Sequence, residues 1–286
     1  MIDLQVILNG VVLGGLYACV AVGFSLVWGV LNVINLLHGS LIVLGAYLAY
    51  LAFTALGLHP FLSLPLVATL LLAFGYLLQR HVLNHVMTEP VLVTLVLTFG
   101  LDLLLYNALV LGFTATPRRI VLDLGRIEIA DVVLPVDRLA AMLLALALTG
   151  LLYCLLRGSR LGRAIVAVRM DSAAAALMGI KVNRIYAITF GLGTLMAGAT
   201  GVIFAMVYPV TTNLTGTYLG KAFVICVIGG LGSVQGALVG GIVLGIIESF
   251  AGQFFGPQHA LTIGFLLMLI LLVVKPTGLT GIKGYE

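Results

Sequence analysis

Polar side chains that could do chemistry are few in this chain, and those inside apolar stretches stand out. Asn32, Asn35 and His38 lie near the start of one such stretch, and Asp102 lies in the middle of another. Polar groups inside hydrophobic segments are costly and therefore mark candidate functional sites. Asn35 and His38 are three residues apart, which predicts that they share a helix face. They could line a path for a polar solute or bond the backbone of a neighbouring helix.

Three further ionisable residues bear on function. Asp102 is the kind of acid that ion-coupled transport uses, although its own segment offers no basic partner. Glu248 falls near the end of an apolar run, so we expect it at the membrane interface and not in the interior. Lys221 is expected near the outer interface, where its long stem can reach water.

The sequence contains no motif for catalysis, nucleotide binding or metal binding. The nearest approach to a phosphate-binding loop is GTYLGKA at residues 216–222. It has three residues between its glycines instead of four, and Ala222 follows the lysine where Ser or Thr is needed. HExxH and GxSxG are absent, and Cys19, Cys154 and Cys226 show no CxxC spacing. The prediction is a protein that is not an enzyme and needs no metal or cofactor.

Composition assigns the chain to the membrane. Hydrophobic residues make up 62% of the 286 residues and charged residues only 8%, against about 25% charged in soluble domains. The apolar runs are long enough for bilayer spans of roughly 20 residues, and they lack the alternation of a barrel strand. The basic residues sit in short loops without interleaved aromatics, so nucleic acid is not an expected partner.

The apolar runs predict an all-α polytopic bundle that forms a single transmembrane domain over residues 1–286. The region 219–255 is too long for one span, and GGLGS at 229–233 interrupts it, so we interpret it as two helices, the first short or re-entrant. The total is eight spans plus this short helix. GxxxG pairs, such as Gly10 with Gly14 and Gly236 with Gly240, favour close packing within the bundle. The other predicted spans are 6–28, 33–56, 61–78, 91–113, 138–156, 185–207 and 261–274.

The loop 157–184 fixes the expected orientation. It carries six of the fourteen basic residues and a single acid, Asp171. Because basic loops stay in the cytoplasm, we expect this loop inside, together with the C-terminus. Counting spans then places the N-terminus and the charge-balanced segment 114–137 outside.

The second half of this loop predicts a short capped helix. Asp171 or Ser172 is a suitable N-cap, Ala173 to Met178 favour helix, and Gly179 is a natural residue just past the end. A helix of about two turns is unstable alone and needs a surface to lie against. That surface could be the protein's own membrane domain or a cytoplasmic partner.

Three separated motifs resemble the permease subunits of bacterial branched-chain amino acid ABC importers. Residues 16–47 are similar to the family's opening signature, and GRAIVAVRMDSAAAALMGI at 162–180 resembles its ATPase-contacting segment. GKAFVICVIGGLGSVQGALVGG at 220–241 and the closing KPTGL complete the likeness, which covers nearly the whole chain. Two departures are Ser40, where the family often has an acid, and Lys275 and Thr280, where it usually has Arg and Phe.

The resemblance implies a permease in the bacterial inner membrane that moves amino acids, by default branched-chain ones, by alternating access. Its implied partners are cytoplasmic ABC ATPase subunits, a second homologous permease, an extracytoplasmic substrate-binding protein and membrane lipid. The alternative is an ion-coupled secondary transporter or channel that uses Asp102. The expected substrate path includes Asn32, Asn35, His38, Gly229 and Gly230. The residues expected to couple to the ATPase are Gly162, Arg163, Arg169, Asp171, Ala174 and Gly179.

Overall fold

The computed structural model describes residues 4–114, 116–120, 125–129 and 132–280. Helices account for most of this part of the chain, as the sequence predicts. In chain order they are α1 (Leu4–Leu31), α2 (His38–Leu56), α3 (Pro60–His81), α4 (Val91–Phe113), α5 (Val136–Gly158), α6 (Arg160–Met170), α7 (Ser172–Leu177), α8 (Val182–Val207), α9 (Thr215–Gly229), α10 (Val234–Phe255) and α11 (Pro257–Val274). The described residues also form two 3-10 helices, Leu83–His85 and Thr212–Leu214.

Eight of the helices are long and apolar enough to cross a bilayer: α1 to α5, α8, α10 and α11. Helix α9 has 15 residues, or about 22 Å at 1.5 Å per residue, which is less than the roughly 30 Å of a hydrocarbon core. The prediction of eight spans plus one short helix is therefore confirmed. The turn between α9 and α10 uses Gly230 and Gly232, both at positive φ, which explains why the break needs glycine.

Helices α1 and α8 form the centre of the bundle, and most of their residues are buried. Glycines allow α1 to lie directly on α10. A Cβ on Gly14 would stand 2.6 Å from the Cα of Ile242, and one on Gly10 would stand 2.7 Å from the Cα of Ile246. The GxxxG glycines therefore serve close packing within the bundle.

The second span begins later than predicted. Residues 32–35 have no regular structure, a turn follows, and helix begins only at His38 and not at Val33. Asn32 has a φ of 53°, a left-handed conformation that ends α1. Because most residues in this stretch are apolar, the hydrophobicity pattern does not reveal that the helix is interrupted here.

A short antiparallel hairpin, β1 (Arg126–Ile129) with β2 (Val132–Pro135), lies in the polar segment 114–137 and was not predicted. Gln5 ties it to the start of α1, because its side-chain amide donates to the Val133 carbonyl and accepts from the Val133 amide, both at 2.9 Å. The segment's acids Asp123 and Asp131 lie outside the described residues.

The two ends of the bundle differ in charge. We call the end where α1, α3, α5, α9 and α11 finish and α4, α8 and α10 begin the basic face. Its elements are joined directly: Asn84 Nδ2 donates to the Asn183 carbonyl at 3.2 Å, and the amide of Leu279 donates to the Ile228 carbonyl at 2.8 Å. Helices α6 and α7 lie on this face.

Candidate functional site

Helix α6 carries the first half of the basic loop and is amphipathic. Gly162, Ile165 and Val168 repeat every three residues and are buried, whereas Arg163 and Arg169 are exposed. Ser159 caps the helix, since its Oγ accepts from the amide of Gly162 at 2.8 Å. The buried stripe fixes α6 on the bundle and leaves its basic side free.

Helix α7 forms where the sequence predicts a capped helix. Asp171 is the N-cap, and its Oδ1 accepts from the amides of Ala173 and Ala174, each at 2.9 Å. Gly179 follows the helix with φ of 84°, and the amide of Ile180 donates back to the Ala175 carbonyl at 3.1 Å. Both predicted ends are confirmed, and together they satisfy backbone groups that so short a helix leaves unpaired.

The tip of α7 presents an apolar surface that sequence reasoning missed. Leu177 is 89% exposed and Met178 is 84% exposed, while Ala175 is buried against the bundle. The sequence did offer a signal for this surface, namely two apolar residues at the end of a predicted helix within a basic loop. Because α7 buries so little of itself, the tip is a surface on which another protein could pack.

The six predicted coupling residues divide into two groups. Gly162 is buried, and a Cβ there would meet the carbonyl oxygens of Leu155 and Leu156. This glycine therefore allows α6 to pack closely on the end of α5. The other five are exposed and lie on α6, at the N-cap of α7, in its first turn or just beyond its end: Arg163, Arg169, Asp171, Ala174 and Gly179.

The interior break before α2 holds two of the predicted path residues. His38 is fully buried at the first turn of α2, and its Nε2 lies 2.8 Å from the Val20 carbonyl. Asn35 is 1% exposed, and neither of its side-chain polar atoms has a partner among the described residues. Asn35 precedes the helix, so the prediction that it shares a helix face with His38 is wrong; a turn brings them together, with the His38 amide 3.3 Å from the Asn35 carbonyl.

A second break meets the first inside the bundle. Gly39 packs on the carbonyl of Thr215, the first residue of α9, and a Cβ at this glycine would also lie 3.1 Å from Leu219 Cβ. Thr212, three residues before Thr215, is fully buried, and its Oγ1 has no partner among the described residues. Val20, the contact of His38, lies 11 residues before the end of α1, or about 16 Å from the basic face. Two non-helical segments therefore converge near the middle of the bundle, where irregular backbone must be enclosed by protein or line a cavity.

The remaining path candidates lie elsewhere. Asn32 is exposed near the basic face. Gly229 and Gly230 are buried at the turn into α10, and the Gly229 carbonyl accepts from the amide of Thr280 at 3.1 Å and from its hydroxyl at 2.6 Å. The structure therefore groups Asn35 with His38 and separates both from the glycine turn.

A charged cluster of Tyr17, Lys221 and Glu248 joins α1, α9 and α10. Lys221 Nζ lies 2.8 Å from Glu248 Oε2, and Tyr17 donates its hydroxyl proton to the same oxygen at 2.6 Å. Lys221 also contacts the Tyr17 hydroxyl and lies 4.2 Å from the centre of its ring. No sequence pattern links these three residues, which are up to 231 positions apart.

This cluster corrects the expected interfacial positions of Glu248 and Lys221. Their side chains are only 6% and 14% exposed. Glu248 lies 14 residues after the start of α10 and 7 before its end, and Tyr17 lies near the middle of α1. Burial deep in the bundle is tolerated because each charge has the other as its partner.

Asp102 makes a local contact between α4 and α2. It accepts the hydroxyl proton of Ser40 at 2.5 Å and is partly exposed. Within the described residues it has no basic partner, and no three His, Cys, Asp or Glu side chains are grouped so as to hold a metal ion.

Comparison with known proteins agrees with this architecture. The family model described as branched-chain amino acid transport system / permease component matches residues 6–274. The high-affinity branched-chain amino acid transport system permease protein BraD of Pseudomonas aeruginosa is 32% identical over 97% of this chain and 95% of its own length. LivH of Escherichia coli, of the same description, is 30% identical over the same shares. No solved structure matches the chain.

A second type of permease is also related. LivM of Escherichia coli, a high-affinity branched-chain amino acid transport system permease protein, is 28% identical over 92% of this chain and 67% of its own length. These relatives are transport permeases, which supports the transporter-subunit interpretation and not the ion-coupled alternative based on Asp102. With a family match over nearly its full length and eight membrane-spanning helices, the chain belongs to the family of branched-chain amino acid transport system permease components.

Proposed function

We propose that this chain is the membrane-spanning permease subunit of an ATP-driven importer for branched-chain amino acids or similar small polar solutes. Its relatives BraD and LivH carry that substrate class in their descriptions. The observation that carries the proposal is the exposed tip of α7 at Leu177 and Met178. The chain has no nucleotide-binding motif of its own, so the energy must enter through a surface such as this one.

The proposed partners follow from the two ends of the molecule. A cytoplasmic ATPase subunit binds α6 and α7, with Arg163, Arg169, Asp171, Ala174 and Gly179 in or beside the contact. A second, related permease of the LivM type completes the pathway, and an extracytoplasmic binding protein delivers substrate to the opposite face. This arrangement places the basic face in the cytoplasm of a bacterial inner membrane, in agreement with its excess of Arg and Lys.

We place the substrate path beside the two interior breaks. Asn35 and Thr212 offer hydrogen-bonding groups that have no protein partner among the described residues, and the same is true of His38 Nδ1. Unpaired polar groups at this depth are costly unless a polar solute or water meets them. A substrate's ammonium or carboxylate group would supply such partners during passage.

The proposed mechanism is alternating access. ATP binding draws the two ATPase subunits together, and α6 and α7 transmit the movement into α5 and α8, the spans on either side of them. The pathway then opens to the outside, and hydrolysis returns it to the inside. The short helix α9 begins inside the bundle at Thr215, so a shift of α8 can reach the breaks without moving an entire span.

Purification of the assembled transporter tests the docking surface. The double substitution L177S/M178S removes the apolar tip and is expected to reduce recovery of the ATPase with the permease by at least tenfold, while the permease still inserts. ATP-dependent uptake in proteoliposomes should fall in parallel. Leu56→Ser is the matched control, because Leu56 is 67% exposed at the end of α2 on the opposite face. Full ATPase recovery with L177S/M178S, or uptake that needs no ATPase, contradicts the proposal.

A further inference from the structure

A polar cavity opens on the basic face between the end of α3 and the start of α8. Its volume is about 440 Å³, and both polar and apolar atoms line it. Arg80, Lys181 and Arg184 supply three positive charges to its wall. Asn84 holds the two sides together through its hydrogen bond to the Asn183 carbonyl.

The positive charges in this cavity are not neutralised within the protein. None of the three basic side chains has an ion-pair partner among the residues that the structure describes. All three are exposed and therefore available to a ligand. Three cations around one cavity favour an anion, and the cavity is large enough for a phosphate group with a polar substituent.

Apolar surface reaches the edge of the cavity from the membrane side. Phe74 and Leu77, within two turns of Arg80 on α3, are 40% and 52% exposed, and Leu66 and Leu70 continue this strip away from the basic face. A wholly apolar groove of about 390 Å³ lies nearby, at the start of α4, and Val86 on its wall is two residues from Asn84. Tyr76, which lines the cavity itself, is of the type that sits at the level of lipid headgroups.

We propose that this cavity binds the headgroup of an anionic phospholipid, with its acyl chains lying along the exposed strip of α3 and the apolar groove at α4. The phosphate is held by Arg80, Lys181 and Arg184 at the depth where α3 ends. A free anion would use the charges but leave the apolar strip uncovered. An acidic segment of a soluble partner could reach the cavity but could not cover a surface that continues into the bilayer. Basic pockets between helices at a cytoplasmic interface bind lipid headgroups in this manner.

The test uses the full transporter complex in nanodiscs of phosphatidylglycerol mixed with phosphatidylcholine. Native mass spectrometry counts the lipids retained after detergent release. The wild-type complex should keep phosphatidylglycerol in preference to phosphatidylcholine, and R80Q/K181Q/R184Q should lose this preference. Each basic side chain near an anionic headgroup contributes about fivefold in affinity, so removal of all three is expected to weaken binding by about 100-fold.

The control removes the same number of charges from the same face outside the cavity, as R157Q/R160Q/K275Q, and should retain the lipid. Inorganic phosphate is added as a competitor in a separate arm, and it should not displace the lipid at millimolar concentration. The proposal is overturned if phosphate alone occupies the site equally well, or if R80Q/K181Q/R184Q sheds the ATPase but keeps its phosphatidylglycerol. Equal lipid loss from both triple variants also overturns it, because the effect would then follow net charge and not the cavity.

Discussion

At the scale of single residues, the Tyr17, Lys221 and Glu248 cluster places two opposite charges inside the bundle. Two opposite charges deep in a membrane protein lose their hydration, and the contact between them offsets part of that loss. The Tyr17 hydroxyl also donates a hydrogen bond to the Glu248 carboxylate. Since Lys221 belongs to the short helix α9, the cluster fixes the depth at which this helix sits against α1 and α10.

Removing one charge of this pair should destabilise the protein strongly. Lys221→Met leaves Glu248 buried without its counter-ion, and Glu248→Gln does the same to Lys221. Each is expected to cost about 3–5 kcal/mol, seen as a lower melting temperature of the purified complex. The double variant K221M/E248Q should be more stable than the sum of the two losses predicts, because it removes both charges together. Strict additivity would show that the two residues do not interact.

Asn35 tests the proposed substrate path. Asn35→Leu keeps a similar volume but removes both hydrogen-bonding groups, and it is expected to reduce substrate uptake about tenfold while the complex assembles normally. The physical reason is that the polar solute loses its partners at the break before α2. Asn35→Asp retains one acceptor and is a useful comparison, measured in the same proteoliposome assay. If Asn35→Leu transports normally, this side chain is not on the path.

Asp102 should be dispensable for energy coupling. Asp102→Asn keeps an acceptor for the Ser40 hydroxyl, so we expect ATP-driven uptake to stay within about twofold of wild type. Uptake that responds to the ion gradient in the wild-type protein and is lost in the variant would restore the ion-coupled interpretation. The measurement is uptake with and without an imposed proton or sodium gradient.

At the scale of elements, α7 depends on its ends more than on its length. Six residues do not form a stable helix alone. The Asp171 cap stabilises the N-terminus of α7, and the left-handed Gly179 ends the helix at its C-terminus. The sequence predicted both ends because capping is a local property that a few neighbouring residues determine. It did not predict which side of α7 remains free, since that depends on what the bundle covers.

Gly179→Val isolates the role of the left-handed turn. An ideal Cβ at Gly179 meets nothing within 4 Å, and the same holds at Gly158, but only Gly179 has positive φ. Valine at residue 179 therefore costs about 1–2 kcal/mol or more from backbone strain alone, while Gly158→Val serves as the matched control. We expect weaker ATPase recovery with Gly179→Val and normal recovery with Gly158→Val. Equal recovery from both would place the coupling surface away from the α7 terminus.

The glycine turn between α9 and α10 and the interior break before α2 show a different limit of sequence reasoning. The break between α9 and α10 was predicted because GGLGS contains glycines that the turn requires. The break at 32–37 was placed too early, as a tight turn, since Val33, Ile34, Leu36 and Leu37 continue the apolar pattern. Hydrophobicity reports that a residue can be buried, but not whether its backbone is helical.

At the scale of the whole molecule, the proposed orientation has a direct test. In a variant with Cys154→Ser, which removes the exposed cysteine and leaves Cys19 and Cys226 buried, single cysteines are placed at Leu177 and Arg119. A membrane-impermeant maleimide should label residue 119 in intact cells and residue 177 only after the membrane is opened, because basic loops remain inside. The reverse labelling pattern would place the basic face outside and remove α7 as an ATPase contact.

The sequence by itself determined the class, the number of spans and the capped helix in the basic loop. These features depend on sums over neighbouring residues, namely the transfer of apolar segments into lipid and the local satisfaction of helix ends. Tertiary structure alone decided that Glu248 is buried on Lys221 and Tyr17, that Asn35 and Thr212 share one interior region, and that three basic residues surround one cavity. Those outcomes depend on which helices meet and at what depth, and residues up to 231 positions apart carry no local signal of their contact.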